Sequence, residues 1–205
     1  LILRELICGS DRFNDLRRGL PQMSPSLLSQ RLKELEDAGI VSRRKLESKG
    51  YAYSLTEAGR ELEPVIVGLG NWGTRWATSR LGKDDYDPAL LMWDVRRRVD
   101  PSRVPGDGRT VVQFDLEGVP AVHKRWWLVF ERNDTDLCLR EPAFDIDLTV
   151  GSHIKALTHV WMGERDLRAA MRSREVQVEG PRPLVRSFPD WFTLSMFAPK
   201  NRSAN

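Results

Sequence analysis

An α+β chain in two parts is predicted by three observations. Leucine-backed helical patterns and a cationic hairpin pattern occupy residues 12–55. Four β-rich runs, parted by Gly, Pro, Asn and Asp, begin at Thr110. Between them lies the polar stretch Ser79 to Asp87, SRLGKDDYD, followed by Pro88, so one domain is expected at residues 1–80 and a second at 88–199. The length of 205 residues exceeds the roughly 100–150 of most single domains. With 40% hydrophobic and 30% charged residues the balance is that of a soluble globular protein. No apolar run approaches the roughly 20 residues a membrane span needs, and no signal peptide is visible, so no membrane partner is expected. The two cysteines, Cys8 and Cys138, form no spacing motif and suit a reducing cytoplasm. Cys8 reads as a buried apolar thiol of a first helix, with oxidant sensing as the alternative.

Arg12 to Arg18 (RFNDLRR) reads as a short helix with Phe13 and Leu16 three apart, and Gly19, Leu20 and Pro21 break it. Ser24 then caps a second helix that proline opens at Pro25 and Gly39 stops. On a helical wheel Leu28, Leu32 and Leu35 share the side that must face a core. The opposite side carries Ser26, Ser29, Gln30 and Lys33. Hydroxyls, an amide and an ammonium suit base edges and phosphates, since Gln can bond adenine bidentately. An ordinary solvated helix face is the alternative from this pattern alone. Ile40 to Leu46 and Tyr51 to Leu55 follow as two β-compatible runs joined by Glu47, Ser48, Lys49 and Gly50. Tyr51, Tyr53 and Leu55 alternate onto one face, while Arg43, Arg44, Lys45 and Lys49 concentrate charge on the ribbon and its tip. Residues 12–55 hold nine Lys and Arg against five acids, a net +4, where the whole chain is +3. That excess steers the first domain toward a polyanion. Two helices and a cationic ribbon in this order make a winged helix-turn-helix. The candidate DNA-binding residues are Ser24, Ser26, Ser29, Gln30, Lys33, Arg43, Arg44, Lys45, Lys49 and Tyr51.

Past the ribbon, Thr56 can cap a longer helix in which Leu62, Val65, Leu69, Trp72 and Trp76 recur at intervals of three and four. Pro64 should kink it or mark a restart. Periodicity leaves open whether the seam packs on the chain's own second domain or on a partner. The segments LRELICGSDRFNDLRRGLPQMSPSLLSQRLKELEDAGIVSRR and YSLTEAGRELEPVIVGLGNWG resemble the HxlR family of winged-helix transcriptional regulators, relatives of MarR, over roughly Leu1 to Trp76. The resemblance implies a homodimer that binds operator DNA, and it makes the seam the dimer interface. The chain opens at Leu1 inside a helical pattern, so the family's own N-terminal segment is expected to be absent from it.

In the second part, Ala89 to Val99 reads as a helix and Pro101 to Arg109 as a turn-rich connector. Thr110 to Leu116, Arg125 to Phe130, Asp136 to Arg140 and Asp145 to Val150 are expected as consecutive antiparallel strands. A helix starting at Gly151 and Ser152 follows, then a helix over Asp166 to Arg174, a strand at Glu175 to Glu179 and a last helix over Pro183 to Trp191. This order, carried by DIDLTVGSHIKALTHVWMGERDLRAAMRSREVQVEG, is similar to the sterol carrier protein family of lipid-binding domains. The resemblance implies a mainly antiparallel sheet covered by helices, with an apolar tunnel for a hydrophobic small molecule. Its candidate lining is Trp126, Leu128, Phe130, Leu148, Ile154, Leu157, Trp161, Met171 and Met196, with a filled core as the alternative.

Catalytic patterns are missing. His153 and His159 are six apart, wrong for a helical metal pair, and there is no HExxH, GxSxG or phosphate-cradling glycine loop. Asp145 and Asp147 read as the wet side of a strand. No catalysis, cofactor or metal is expected. The sequence therefore points to a cytoplasmic dimeric regulator, with double-stranded operator DNA and its own copy as partners and an apolar molecule as effector. A hydrophobic-ligand carrier whose first domain only dimerises is the alternative.

Overall fold

The computed structural model describes residues 1–47, 50–77, 82, 85–106, 108–131 and 134–198. The chain divides into two compact units, Leu1–Thr78 and Ser79–Asn205. Among the described residues no helix is long and apolar enough to cross a membrane.

The first unit runs α1 (Ile2–Ile7), α2 (Phe13–Arg18), α3 (Pro25–Asp37), β1 (Val41–Lys45), β2 (Tyr51–Leu55), α4 (Glu57–Glu61) and α5 (Glu63–Trp76). The Ser24 hydroxyl accepts from Leu27 N at 3.2 Å and so occupies one of the free N–H groups at the start of α3. Ser24→Ala should therefore lower the unfolding free energy by about 0.5–2 kcal/mol, read from urea melts of the two proteins. At the other end Gly39 takes φ 71°. Its N–H donates to Glu36 O and that of Ile40 to Leu35 O, the paired closure that lets a chain leave a helix sharply. Ile2, Leu16, Leu20, Leu28 and Leu32 form the core, with Leu35 and Tyr53 half-buried against it.

Two features of this unit were not legible in the pattern. Glu5 is fully buried, ion-paired to Arg4 and receiving the Ser10 hydroxyl at 3.3 Å. A Cβ on Gly19 would lie 1.8 Å from its carboxylate, so the glycine after α2 is there for room: its φ of −76° is open to any residue. The ribbon also gains a third element. Tyr53 N donates to Asp11 O at 2.8 Å and Arg12 bridges Ala52, which ties the entry of α2 to β2. The expected long helix after the ribbon is split at Leu62 into α4 and α5, with Pro64 in the first turn of α5, where its missing N–H costs nothing.

The second unit has α6 (Pro88–Arg98), β3 (Thr110–Glu117), β4 (Arg125–Glu131), β5 (Asp134–Cys138), β6 (Leu148–His153), α7 (Ile154–Trp161), α8 (Leu167–Arg172), β7 (Val176–Glu179) and α9 (Arg182–Trp191). From β3 onward this is the order of elements in the sterol carrier pattern. The five strands stand as β5-β4-β3-β6-β7, all neighbours antiparallel except β3 and β6. Here the expectation of consecutive antiparallel strands is corrected: β6 does not follow β5 in the sheet but crosses to the far side of β3 and runs parallel to it. Residues 139–147 make that crossing. Pro142 interrupts any ladder there, and Asp147 anchors the end of the strap, its N–H donating to Val111 O while its carboxylate accepts from Val111 N at 2.8 Å. Asp145 to Asp147 therefore lie outside β6, and Gly151 and Ser152 lie inside it, ahead of the helix they were expected to start.

One sheet face carries the main core. Val112, Phe114, Trp126, Leu128, Phe130, Leu148 and Val150 pack against Met92, Val95, Leu157, Val160, Trp161, Phe188 and Trp191 from the helices. Phe188 and Trp191 meet edge to face at 5.5 Å. The other face bears the smaller cluster Val111, Trp127 and Val129, over which the strap passes.

Candidate nucleic-acid interface

The two buried leucines of α3, Leu28 and Leu32, are at most 2% exposed, which locks the rotation of the helix about its axis. Ser26, Ser29, Gln30 and Lys33 consequently stand on its exposed side. Together with Glu36, Asp37, Arg43 and Tyr53 they line an open groove of about 870 Å³ between the helix and the ribbon. Ser24 lies at the start of the helix, exposed, with its hydroxyl 3.1 Å from that of Ser26.

The ribbon register divides the predicted wing residues between two faces. Arg43 pairs with Tyr53 and Lys45 with Tyr51, so these four share a face, while Arg44 pairs with Ala52 on the other. All of Arg43, Arg44, Lys45 and Tyr51 are exposed. Lys49, expected at the ribbon tip, lies outside the described residues. Arg43 is held on both sides: its Nε is 3.4 Å from Glu36 Oε1 and its guanidinium sits 4.6 Å above the Tyr51 ring. That makes it a strut between helix and wing, whereas Lys45 is exposed and makes no ion pair among the described residues.

Charge in the groove is balanced rather than positive, because Glu36 and Asp37 offset Lys33 and Arg43. The acids sit at the C-terminal end of α3, where they oppose the entry of phosphate. The N-terminal half, Ser24 to Gln30, is polar on its exposed side and carries no charge. Where the two halves meet, Gln30 Nε2 donates to Glu34 Oε1 at 3.0 Å and Arg31 donates to Glu34 Oε2 at 2.6 Å. The Arg31 contact first, then the Gln30 amide, holds the Glu34 carboxyl below its ordinary range. A depressed carboxyl favours its bonded state above the unfolded value and loses that preference as pH falls through the folded one, so acid removes the charge that strengthens the contacts with Arg31 and Gln30. Tyr53, Glu36 and Asp37 were not among the predicted contacts. The alternation of Tyr51 with Tyr53 pointed to the first, and spacings of three and four from Lys33 to the other two.

The first 80 residues match the model of the HxlR-like helix-turn-helix family. The uncharacterized HTH-type transcriptional regulator YvaP of Bacillus subtilis (strain 168) is 40% identical over 78 residues, which are 37% of this chain and 72% of that protein. The chain belongs to the HxlR-like family. It is accordingly a DNA-binding regulator of the helix-turn-helix type. Among solved structures, the reduced form of the transcriptional regulator YodB from B. subtilis is 33% identical, covering 37% of this chain and 76% of that one, at a TM-score of 0.32. The ubiquinone synthesis protein UbiJ-SCP2 is 23% identical, covering 63% of this chain and 95% of that one, at a TM-score of 0.34.

The other predicted sites stand as follows. Val65, Leu69, Trp72 and Trp76 are 63%, 65%, 59% and 55% exposed along one stripe of α5, and Leu62 is half-buried at the break before it. Ile66, Gly70, Gly73 and Thr74, on the other side of the helix, are half-buried. Of the apolar lining proposed for the second unit, Trp126, Leu128, Phe130, Leu148, Ile154, Leu157 and Trp161 are at most 4% exposed within the continuous core. Met171 is half-buried against that core, and Met196 is half-buried outside it.

Proposed function

We propose that this HxlR-like protein is a homodimer that binds operator DNA through α3 and the β1–β2 wing and regulates transcription in the cytoplasm. One observation carries the DNA-binding part. The leucine side of α3 is fixed in the core, and this aims Ser26, Ser29, Gln30 and Lys33 into an open groove beside a cationic ribbon. The dimer part is supported by the α5 stripe, four large apolar side chains in helical register that a lone chain leaves in water. Two copies joined there would present paired recognition helices to half-sites about 34–36 Å apart.

Electrophoretic or fluorescence titrations of two variants test this reading. Gln30→Ala should cost about 1–3 kcal/mol on the preferred sequence and little on others, if its amide bonds a base bidentately. Lys45→Ala should weaken all sequences alike and reduce the salt slope by about one ion. If both variants bind as the parent does, helix and wing are not the contact surface, and the alternative of a carrier with a merely dimerising first unit gains.

An apolar effector in the second unit would act by preferring one arrangement of the two recognition helices, shifting DNA affinity by that difference and no more. The element order of the unit supports such a role. In the tunnel position, however, the side chains pack on one another, so an entering ligand has to part the aromatic cluster of Phe130, Phe188 and Trp191.

A further inference from the structure

The second unit carries a small concavity on the sheet face that bears Val129, apart from its main core. It measures about 160 Å³ and is lined by Val129, Glu131, Asp134, Asp136, Cys138, Pro142 and Phe144. The floor is apolar: Val129 from the sheet, and Pro142 and Phe144 from the strap that crosses it. The rim is anionic. Glu131 faces Asp134 directly across the β4–β5 ladder, and Asp136 faces Val129 one step along on the same side. Like charges placed opposite one another in a ladder repel, so the arrangement is costly unless a cation joins it.

The protein itself shows what kind of cation suits the place. Arg109 lies with its guanidinium carbon 3.5 Å from the centroid of the Phe144 ring, and its Nε is ion-paired to Glu131. A planar cation is thus already stacked on this ring and matched to this carboxylate. Arg109 and Phe144 together line the neighbouring cavity of about 580 Å³, so the ring stands between the two spaces. Arg109 answers one of the three carboxylates. The Asp134 carboxylate accepts the N–H of its neighbour Thr135 at 2.8 Å, and among the described residues no cation pairs with Asp134 or Asp136. A bare metal ion is a poor match, since no group of three or more metal-ligating side chains stands close enough among the described residues. An aromatic ring, an apolar floor and spare carboxylates instead favour an organic cation whose charge is spread over a flat group.

We propose that the cavity between Phe144 and the Asp134–Asp136 edge of β5 binds a small planar organic cation of the amidinium or guanidinium type. The ligand packs against Phe144, Val129 and Pro142 and sets its charge against Asp134 and Asp136. The inference stands apart from the DNA-binding reading and is tested without DNA.

The probe is benzamidinium, titrated into the full chain by isothermal calorimetry at low salt, with benzamide as its uncharged counterpart. The expected result is saturable binding of benzamidinium and at least roughly tenfold weaker binding of benzamide. Asp136→Asn removes an exposed charge without touching the fold and should weaken benzamidinium about fivefold. Phe144→Leu keeps apolar volume beneath the strap but loses the ring face, and should weaken it by about the same factor. Circular dichroism melts identify a variant that fails to fold, and Asp134→Asn then takes its place. Equal binding of benzamide, or benzamidinium binding that none of the folded variants alters, would overturn the proposal, as would no binding at all.

Discussion

Trp72→Glu is expected to convert the proposed dimer to a monomer. Trp72 sits in the middle of the exposed α5 stripe, with Leu69 and Trp76 on either side along the helix. Burying a large apolar side chain in an interface contributes about 1.5–3 kcal/mol, and a carboxylate in its place would be stripped of water with no cation among the stripe residues to meet it. The two effects add, so the dimer dissociation constant should rise by at least about a hundredfold. The monomer should stay folded, because Trp72 is exposed while α5 meets the rest of its unit through half-buried residues such as Ile66 and Gly70, which are not part of the stripe. Sedimentation velocity reads the mass, and circular dichroism reads the fold. Operator affinity should fall with the dimer, since each half-site is then bound without help from the other. A variant that stays dimeric would move the interface elsewhere.

Gly59→Ala should cost about 3 kcal/mol of stability, the upper end for overpacking. A Cβ there would stand 2.1 Å from Ile40 O and 3.3 Å from Leu55 Cβ. The first obstacle is backbone, so no side chain can swing away to make room. The same residue sits in the first turn of α4, just past the wing. Its N–H donates to Thr56 Oγ1 at 3.1 Å, and that hydroxyl donates to Gly39 O at 2.7 Å, which staples the base of the ribbon to the end of α3. Gly68, in the middle of α5, is the control. A Cβ there meets nothing within 4 Å, so Gly68→Ala should stabilise the helix by about 0.5–1 kcal/mol. Urea midpoints of the two variants should therefore move in opposite directions. Equal shifts would mean that the contact with Ile40 is not as close as described.

The difference between these two glycines marks how far sequence reasoning reached. The helix-turn-helix, the cap at Ser24, the restart at Pro64 and the apolar register of α5 were legible because each depends on neighbours within a few residues. Nothing local distinguishes Gly59 from Gly68, since what separates them is Ile40, brought close only by folding. The buried Glu5 beside Gly19 has the same origin. So does the position of β6: the run Leu148 to Val150 reads as a strand in any sheet, but its place beside β3 depends on where the strap from 139 to 147 can cross. On the recognition surface, periodicity found the outward face of α3, yet it did not reveal that Glu34 occupies both Gln30 and Arg31, or that Arg43 is a strut. The net positive charge of residues 12–55 likewise did not reveal that Glu36 and Asp37 balance Lys33 and Arg43 within the groove.

Selection of bound fragments from random double-stranded DNA, followed by sequencing, tests the central claim most directly. The parent protein should enrich an inverted repeat with half-site centres one helical turn, about 10–10.5 base pairs, apart. A Ser29→Ala, Gln30→Ala double variant should lose the base preference within each half-site while keeping the spacing, which the dimer sets. Failure of the parent to enrich any sequence, or enrichment of the same half-site by the double variant, would contradict the assignment of α3 as the element that reads DNA.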